Sequence, residues 1–210
     1  IKILQKNYRI TFIDFADELL MTSEERSVQM ARALKPLGIR WKCNGRLNYA
    51  KPGILKEMKE AGCVFINYGI ESVDDKVLRQ MNKALTYKQI VKGVEATLAE
   101  DISPGLNMLW NNIGDTQETL RRSVDFIKKY SDFSQMRTIR PVQPYPGSPL
   151  FEEAKRRGLV KDAADFYENK LINTELPSIN FTELSDEVVC YLLFQANKEL
   201  ITSYYESVCK

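Results

Sequence analysis

An α/β fold on a parallel sheet is what this sequence predicts, and three observations lead there. Short β-rich runs alternate with helical stripes about five times along the 210 residues. The strand starts recur every roughly 25–40 residues, the spacing of βα units, which pairs strands in parallel through right-handed crossovers. One run, Cys63-Val64-Phe65-Ile66, is apolar without interruption, as in a strand covered on both faces. Five units are too few to close an eight-stranded barrel, which needs ~250 residues. An open doubly wound sheet and an incomplete barrel therefore remain the alternatives.

The elements follow in order. Arg9 to Asp14 is a short first strand. Thr22-Ser23-Glu24-Glu25 sets a hydroxyl three residues before a glutamate, a capping-box start, and Val28, Ala31, Leu34 and Leu37 recur at helical spacing up to Gly38. A second strand runs from Ile39 to Asn44. Pro52 opens a helix whose stripe is Ile54, Leu55, Met58 and Ala61, and Gly62 ends it. The third strand is Cys63 to Gly69. Ser72 then caps a short helix to Met81, and Thr86 with Gln89 caps another to about Leu98. Gly105 to Trp110 is the fourth strand, and Asp115 can cap the helix of Leu120, Val124 and Ile127. Met136 to Val142 is the fifth. Ser148-Pro149, Glu152-Glu153, Arg156-Arg157 and Gly158 then supply cap, dipole complement and stop. Beyond Gly158 the alternation ceases, which sets a boundary between residues 1–158 and an extension, 159–210. That extension ends in a long helix from Ser185 with Val188, Val189, Leu192, Leu193, Ala196, Leu200 and Tyr204 on one face.

Composition narrows the function. Thirty Lys+Arg against 28 Asp+Glu give a net charge of +2, which gives no support to a strongly basic nucleic-acid or membrane surface and leaves only a local patch open. Histidine is absent, so a His-dependent triad, a His metal site and a His general base are excluded within the chain. Cys43, Cys63, Cys190 and Cys209 are far apart and form no CxxC or CxxxCxxC, so a disulfide scaffold is not indicated and a reducing cytoplasm is the expected setting. No run of apolar residues is long enough to span a membrane. The start at Ile1, without an initiator methionine, looks like the beginning of an excised piece of a longer protein.

In parallel α/β folds ligands gather at the carboxyl ends of strands. Those ends carry Asp14 and Asp17, Asn44 and Arg46, Asn67 and Glu71, Asn111, Asn112 and Asp115, and Gln143 and Tyr145. Each alone also reads as ordinary: a loop charge, a helix cap, a surface ion pair. Tyr68-Gly69-Ile70-Glu71-Ser72 brings a carboxylate to a strand end, where it can accept hydrogen bonds from a ribose diol. Pro144-Tyr145-Pro146-Gly147-Ser148-Pro149 is a stiff loop presenting an aromatic face, or else a rigid connection into the last helix.

From Ile10 to Gly158 the chain resembles the middle and end of a radical S-adenosylmethionine (radical SAM) domain. The type is that of iron–sulfur oxidoreductases often accompanied by a cobalamin-binding domain. Seven strings carry the resemblance: Phe12-Ile13-Asp14 through Asp17-Glu18, Trp41 to Arg46, Met58 to Cys63, Gly69 to Ser72, Met81-Asn82-Lys83, Gly114 to Thr119 and Pro144 to Leu150. The resemblance implies an incomplete (β/α) TIM-like barrel holding five of the family's six βα units, with Ile1 to Tyr8 as the tail of the first helix. It implies S-adenosylmethionine as cofactor and a [4Fe–4S] cluster whose CxxxCxxC ligands lie outside this chain, and it is compatible with cobalamin. By position, Asp14 and Asp17 would approach the methionine amino group and Arg46 its carboxylate. Glu71 and Ser72 would meet the ribose, and Gly114, Asp115 and Tyr145 would lie near the adenine. Asn112-Ile113-Gly114-Asp115-Thr116 departs from the family's commoner Gly-x-Pro-Gly-Glu-Thr. The whole protein would cleave the cofactor to a 5′-deoxyadenosyl radical, and this piece alone would be inactive. Its partners would be small molecules, with self-association through an exposed first-strand edge or covering of that edge by the C-terminal segment. A carboxylate-dependent lyase and a non-catalytic scaffold are the competing readings.

Overall fold

The computed structural model describes residues 1–209. Five strands form one sheet in the order β1-β2-β3-β4-β5: β1 Phe12–Asp14, β2 Arg40–Gly45, β3 Cys63–Glu71, β4 Ser103–Trp110 and β5 Ile139–Pro141. Consecutive order is the winding of a (β/α) barrel. A doubly wound sheet would reverse direction partway along, so the chain is the incomplete TIM-like barrel. No helix among the described residues is long and apolar enough to cross a membrane.

The helices are α1 Lys2–Tyr8, α2 Glu24–Leu34, α3 Pro52–Glu60, α4 Asp75–Gln80, α5 Tyr87–Ala99, α6 Gln117–Tyr130, α7 Pro149–Arg156, α8 Ala163–Asp165 and α9 Asp186–Val208. Their ends follow local chemistry. Thr86 and Gln89 form the expected capping box, and Ser148 and Ser185 accept from Phe151 N–H and Val188 N–H. Three expected caps move by one or two residues. Ser23 rather than Thr22 caps α2, accepting from Arg26 N–H. Asp74 rather than Ser72 caps α4, accepting from Lys76 and Val77, while the Ser72 hydroxyl holds the Asp74 amide at 3.1 Å. At α6 a reciprocal pair, Thr119 N–H to Thr116 Oγ1 at 3.3 Å and Thr116 N–H to Thr119 Oγ1 at 3.0 Å, takes the place expected of Asp115.

The chain packs as two compact units: Ile1–Ile70 with Leu85–Asn107 and Tyr130–Gln135, and Glu71–Ala84 with Met108–Lys129 and Met136–Lys210. In the first, β1 pairs in parallel with β2, and β2 with β3, which sets Asp14 opposite Lys42 and Asn44 opposite Asn67. Trp41 and Tyr68 are fully buried there with their polar atoms satisfied. The indole donates to Ala61 O at 2.8 Å, and the phenol meets Thr97 Oγ1 at 3.0 Å. The sheet's β1 edge is only three residues long, Phe12 on it is exposed, and α1 buries no residue. In the second unit β4 pairs in parallel with β5. Its extension residues share a core with the last βα unit: Val142, Phe151 and Ala154 bury against Val160, Phe166, Ile179 and Phe181.

Candidate functional site

In the first unit, β1 delivers Asp14, whose carboxylate pairs with Lys42 Nζ at 2.8 Å. Both partners are substantially exposed, so the pair contributes at most about 1 kcal/mol. Asp17 lies on the exposed loop after β1, where its backbone carbonyl accepts from Asn44 Nδ2 at 2.9 Å. Arg46 follows β2, is exposed, and its guanidinium holds no ion pair among the described residues. Asp17 and Arg46 are thus opposite charges available to solvent, a combination able to bind the ammonium and carboxylate of an amino acid.

In the second unit, Glu71 is the last residue of β3 and adopts a left-handed backbone conformation, φ 69°. Asn111, immediately after β4, does the same at φ 75°. For residues other than glycine this region costs on the order of 1–3 kcal/mol, and such outliers concentrate where backbone geometry serves a ligand. The Glu71 carboxylate is partly buried and pairs with Lys83 Nζ at 3.2 Å. Asn111 is fully buried; its Nδ2 donates to Ile179 O at 2.7 Å, and its Oδ1 has no partner among the described residues. Ser72 is buried, with its oxygen engaged by the Asp74 amide.

Gly114 has φ 84°, and a Cβ there would stand 2.1 Å from Gln80 Oε1, so the turn admits no side chain without displacing Gln80. Its neighbour Asp115 is buried. One carboxylate oxygen accepts from Asn112 N–H at 2.9 Å and the other from the Thr119 hydroxyl at 2.8 Å. Burial pushes its pKa up to about 6, against the lowering effect of those two bonds and with a small further rise from Asp74. Asp115 therefore shapes the turn around Gly114. Tyr145 is half exposed, its ring edge-on to Phe166 at 5.7 Å. The loop before it is braced because Gln143 donates to Leu176 O and accepts from Ser178. Sequence reasoning missed Thr119 and Gln80. The signal for Thr119 lay in the Thr116-Gln117-Glu118-Thr119 spacing of a hydroxyl-only capping pair.

A hollow of about 460 Å³ lies between α6 and α9, lined by Leu120, Arg121, Lys128, Ala196 and Glu199 among others. None of the strand-end residues reaches it. It is a seam between two helices, closed by ion pairs from Glu199 to Arg121 and Lys128.

The cysteines do not offer a cluster site. Cys43 and Cys63 are buried, Cys190 and Cys209 are exposed, and no three His, Cys, Asp or Glu side chains among the described residues converge for a metal. Burial, with the neighbouring Cys43, pushes the Cys63 thiol well up, away from the thiolate an iron would need. After anaerobic reconstitution with iron and sulfide, this chain is expected to retain no stoichiometric iron. Stable incorporation of a four-iron cluster, read by absorbance and iron assay, would contradict that expectation.

Comparison with known proteins bears on the family and the fold. A methyltransferase of Pyrococcus horikoshii, named as uncharacterized, is 28% identical over 163 residues, covering 76% of this chain and 35% of that protein. The bacteriochlorophyllide d C-12(1)-methyltransferase of Chlorobaculum tepidum is 26% identical, covering 83% of this chain and 40% of its own length. The chain thus spans well under half of these relatives. Among solved structures, the radical S-adenosylmethionine methyltransferase TsrM of Kitasatospora setae, with cobalamin and a [4Fe–4S] cluster bound, shares the fold. It has a TM-score of 0.63 and 15% identity, over 74% of this chain and 32% of that one. The model of the radical SAM superfamily matches residues 3–127, well over half of the sequence, and the chain belongs to that superfamily.

Proposed function

We propose that this chain is the S-adenosylmethionine-binding part of a longer radical SAM enzyme and that Glu71 accepts hydrogen bonds from the ribose hydroxyls. The observation that carries the reading is Glu71 itself: a partly buried carboxylate at a strand end, held in a left-handed conformation and paired only laterally with Lys83. A carboxylate accepting from two vicinal hydroxyls makes charge-assisted bonds, about twice as strong as neutral ones. The exposed Tyr145 ring offers a face for a nucleobase, and the Gly114 turn, with its φ of 84°, lets Gln80 pack against the backbone there. In the first unit, Asp17 and Arg46 carry the charges that suit an amino-acid end, with Asp14 beside Lys42 as a further carboxylate. Ser72 and Asp115 support the reading from behind, by fixing the turns that follow β3 and β4.

Each unit taken by itself carries groups of a kind that S-adenosylmethionine can use, charges for an amino-acid end in the first and acceptors for a ribose in the second. The [4Fe–4S] cluster does not fit the cysteines of this chain, so its ligands belong to the remainder of the protein. When reductively cleaved in the whole enzyme, the cofactor supplies a carbon-centred radical for the reaction. This chain's residues bind and orient it. The names of the two relatives support methyl transfer, rather than oxidoreduction, as the reaction of the longer protein, and the cobalamin in the TsrM structure is compatible with the same chemistry. The four free cysteines suit a reducing cytoplasm.

Isothermal titration of the chain with S-adenosylmethionine tests the proposal. Saturable one-to-one binding, competed by adenosine, is the expected result; no heat beyond dilution would overturn it. The exposed β1 edge and α1 also favour association between copies. Sedimentation is expected to show mass rising with concentration, and a strict monomer throughout would contradict this.

A further inference from the structure

We propose that Asn67 is a positioning residue which, acting through Asn44, fixes the loop that carries Asp17. The idea rests on the reading above, in which Asp17 serves the amino-acid end of the cofactor, and it deepens that reading.

The observation is a chain of two amides inside the first unit. Asn44 on β2 stands opposite Asn67 on β3 in the parallel register. Asn67 Nδ2 donates to Asn44 Oδ1 at 3.0 Å, and Asn44 Nδ2 donates to the Asp17 carbonyl at 2.9 Å. The polarity of this relay follows from its far end. A backbone carbonyl only accepts, so Asn44 must turn its NH2 group toward Asp17 and its oxygen toward Asn67. Asn67 must then be the donor. The same Asn44 holds the other end of the loop with its backbone, because its carbonyl accepts from Leu20 N–H at 3.1 Å and Met21 N–H at 3.4 Å. The loop between Phe15 and Leu20 has no helix or strand of its own, and Asp17 on it is exposed. Phe15 N–H, donating to Lys42 O at 3.1 Å, ties the start of the loop to β2, so β2 holds the chain on both sides of Asp17.

The site is also built from behind. A Cβ on Gly105 of β4 would stand 2.4 Å from Asn67 Oδ1 and 2.8 Å from Asn67 Cα. Only glycine at 105 leaves Asn67 the room to hold its amide in line with Asn44. Asn44, Asn67 and Gly105, on the adjacent strands β2, β3 and β4, thus line up behind one loop.

The relay predicts non-additive losses. With the ¹⁵N-labelled chain, Asn67→Ala is expected to speed amide exchange at Leu20 and Met21 by about tenfold or more while α5 exchanges as in the wild type. In titration with S-adenosylmethionine, Asn44→Ala and Asn67→Ala should each weaken binding about three- to tenfold, and the double variant should be no weaker than Asn44→Ala alone. Asn67→Asp, with the same shape and no donor, should reproduce Asn67→Ala and serves where alanine fails to fold. Unchanged exchange at Leu20 and Met21 would overturn the relay. Changed exchange with unchanged affinity, or losses that multiply in the double variant, would overturn its positioning role. A wild-type chain that binds no S-adenosylmethionine sinks the functional reading itself, and the exchange measurement then decides the relay alone.

Discussion

Replacing Asp115 with alanine is expected to cost about 2–4 kcal/mol of stability, because it strands two buried donors at once. The Asn112 amide and the Thr119 hydroxyl both end on this carboxylate, and Thr119 also completes the cap of α6. The loss should appear as a lower urea midpoint with an unchanged slope. Acidity gives a second, independent readout. The folded-state pKa of Asp115, pushed up to about 6, lies above its value of 3.8 as an ordinary aspartate. Between those two values the folded chain keeps a proton that the unfolded chain has released, so this group's contribution grows as pH falls from 7 to 4. It is lost again as pH rises through about 6, with a swing on the order of 2 kcal/mol. Glu153 and Glu199 act with the opposite sign. Arg156 with Arg157, and Arg121 with Lys128, hold them down to about 2, so their contributions are lost only as pH falls toward that value. Urea titrations at pH 5 and 7 should therefore show the wild type gaining stability on acidification relative to Asp115→Asn. Parallel behaviour of the two proteins would contradict the assignment.

Replacing Glu71 with alanine is expected to weaken S-adenosylmethionine binding by roughly ten- to a hundredfold, the loss of one or two hydrogen bonds to a charged acceptor. Stability should change little. The Lys83 partner is partly exposed, with side-chain accessibilities of 21% for Glu71 and 31% for Lys83, so the pair contributes up to about 1 kcal/mol. If Glu71 served only that pair, the same small loss of stability would appear with affinity unchanged. Thermal melts alongside the titration separate the two outcomes.

Much of this fold is written locally. Pro52 at the start of α3, the Thr86 and Gln89 box of α5, and Ser148 and Ser185 before α7 and α9 are read from neighbours a few residues apart. The uninterrupted apolar run from Cys63 marks the central strand β3 for the same reason. The short strands are a different matter. Arg9 to Asp14 and Met136 to Val142 have β-rich composition, yet β1 and β5 are only three residues long, since a strand's length depends on how far its neighbour continues beside it. Conversely β3 runs two residues beyond its expected end at Gly69, to Glu71. Where two capping residues stand together, as Asp115 and Thr116 do, burial decides, and burial is not a local property.

The candidate site was legible as a set of polar strand ends and not as an arrangement. Glu71 could be singled out from Gly69-Ile70-Glu71-Ser72, but its left-handed backbone has no signature in a non-glycine residue. That Asn44 and Asn67 meet requires the register of β2 against β3. The family resemblance supplied what spacing could not, because the Ile10 to Gly158 strings matched in order even where each string alone was weak.

The most direct test of the account removes the contact from both sides. Wild type and Glu71→Ala would each be titrated with S-adenosylmethionine and with its 2′-deoxy analogue. If Glu71 accepts a ribose hydroxyl, deleting the hydroxyl should weaken binding to the wild type by about tenfold or more and leave the Glu71→Ala affinity nearly unchanged. Equal losses in the two proteins, or equal affinities of wild type and variant for the natural cofactor, would contradict the assignment of Glu71.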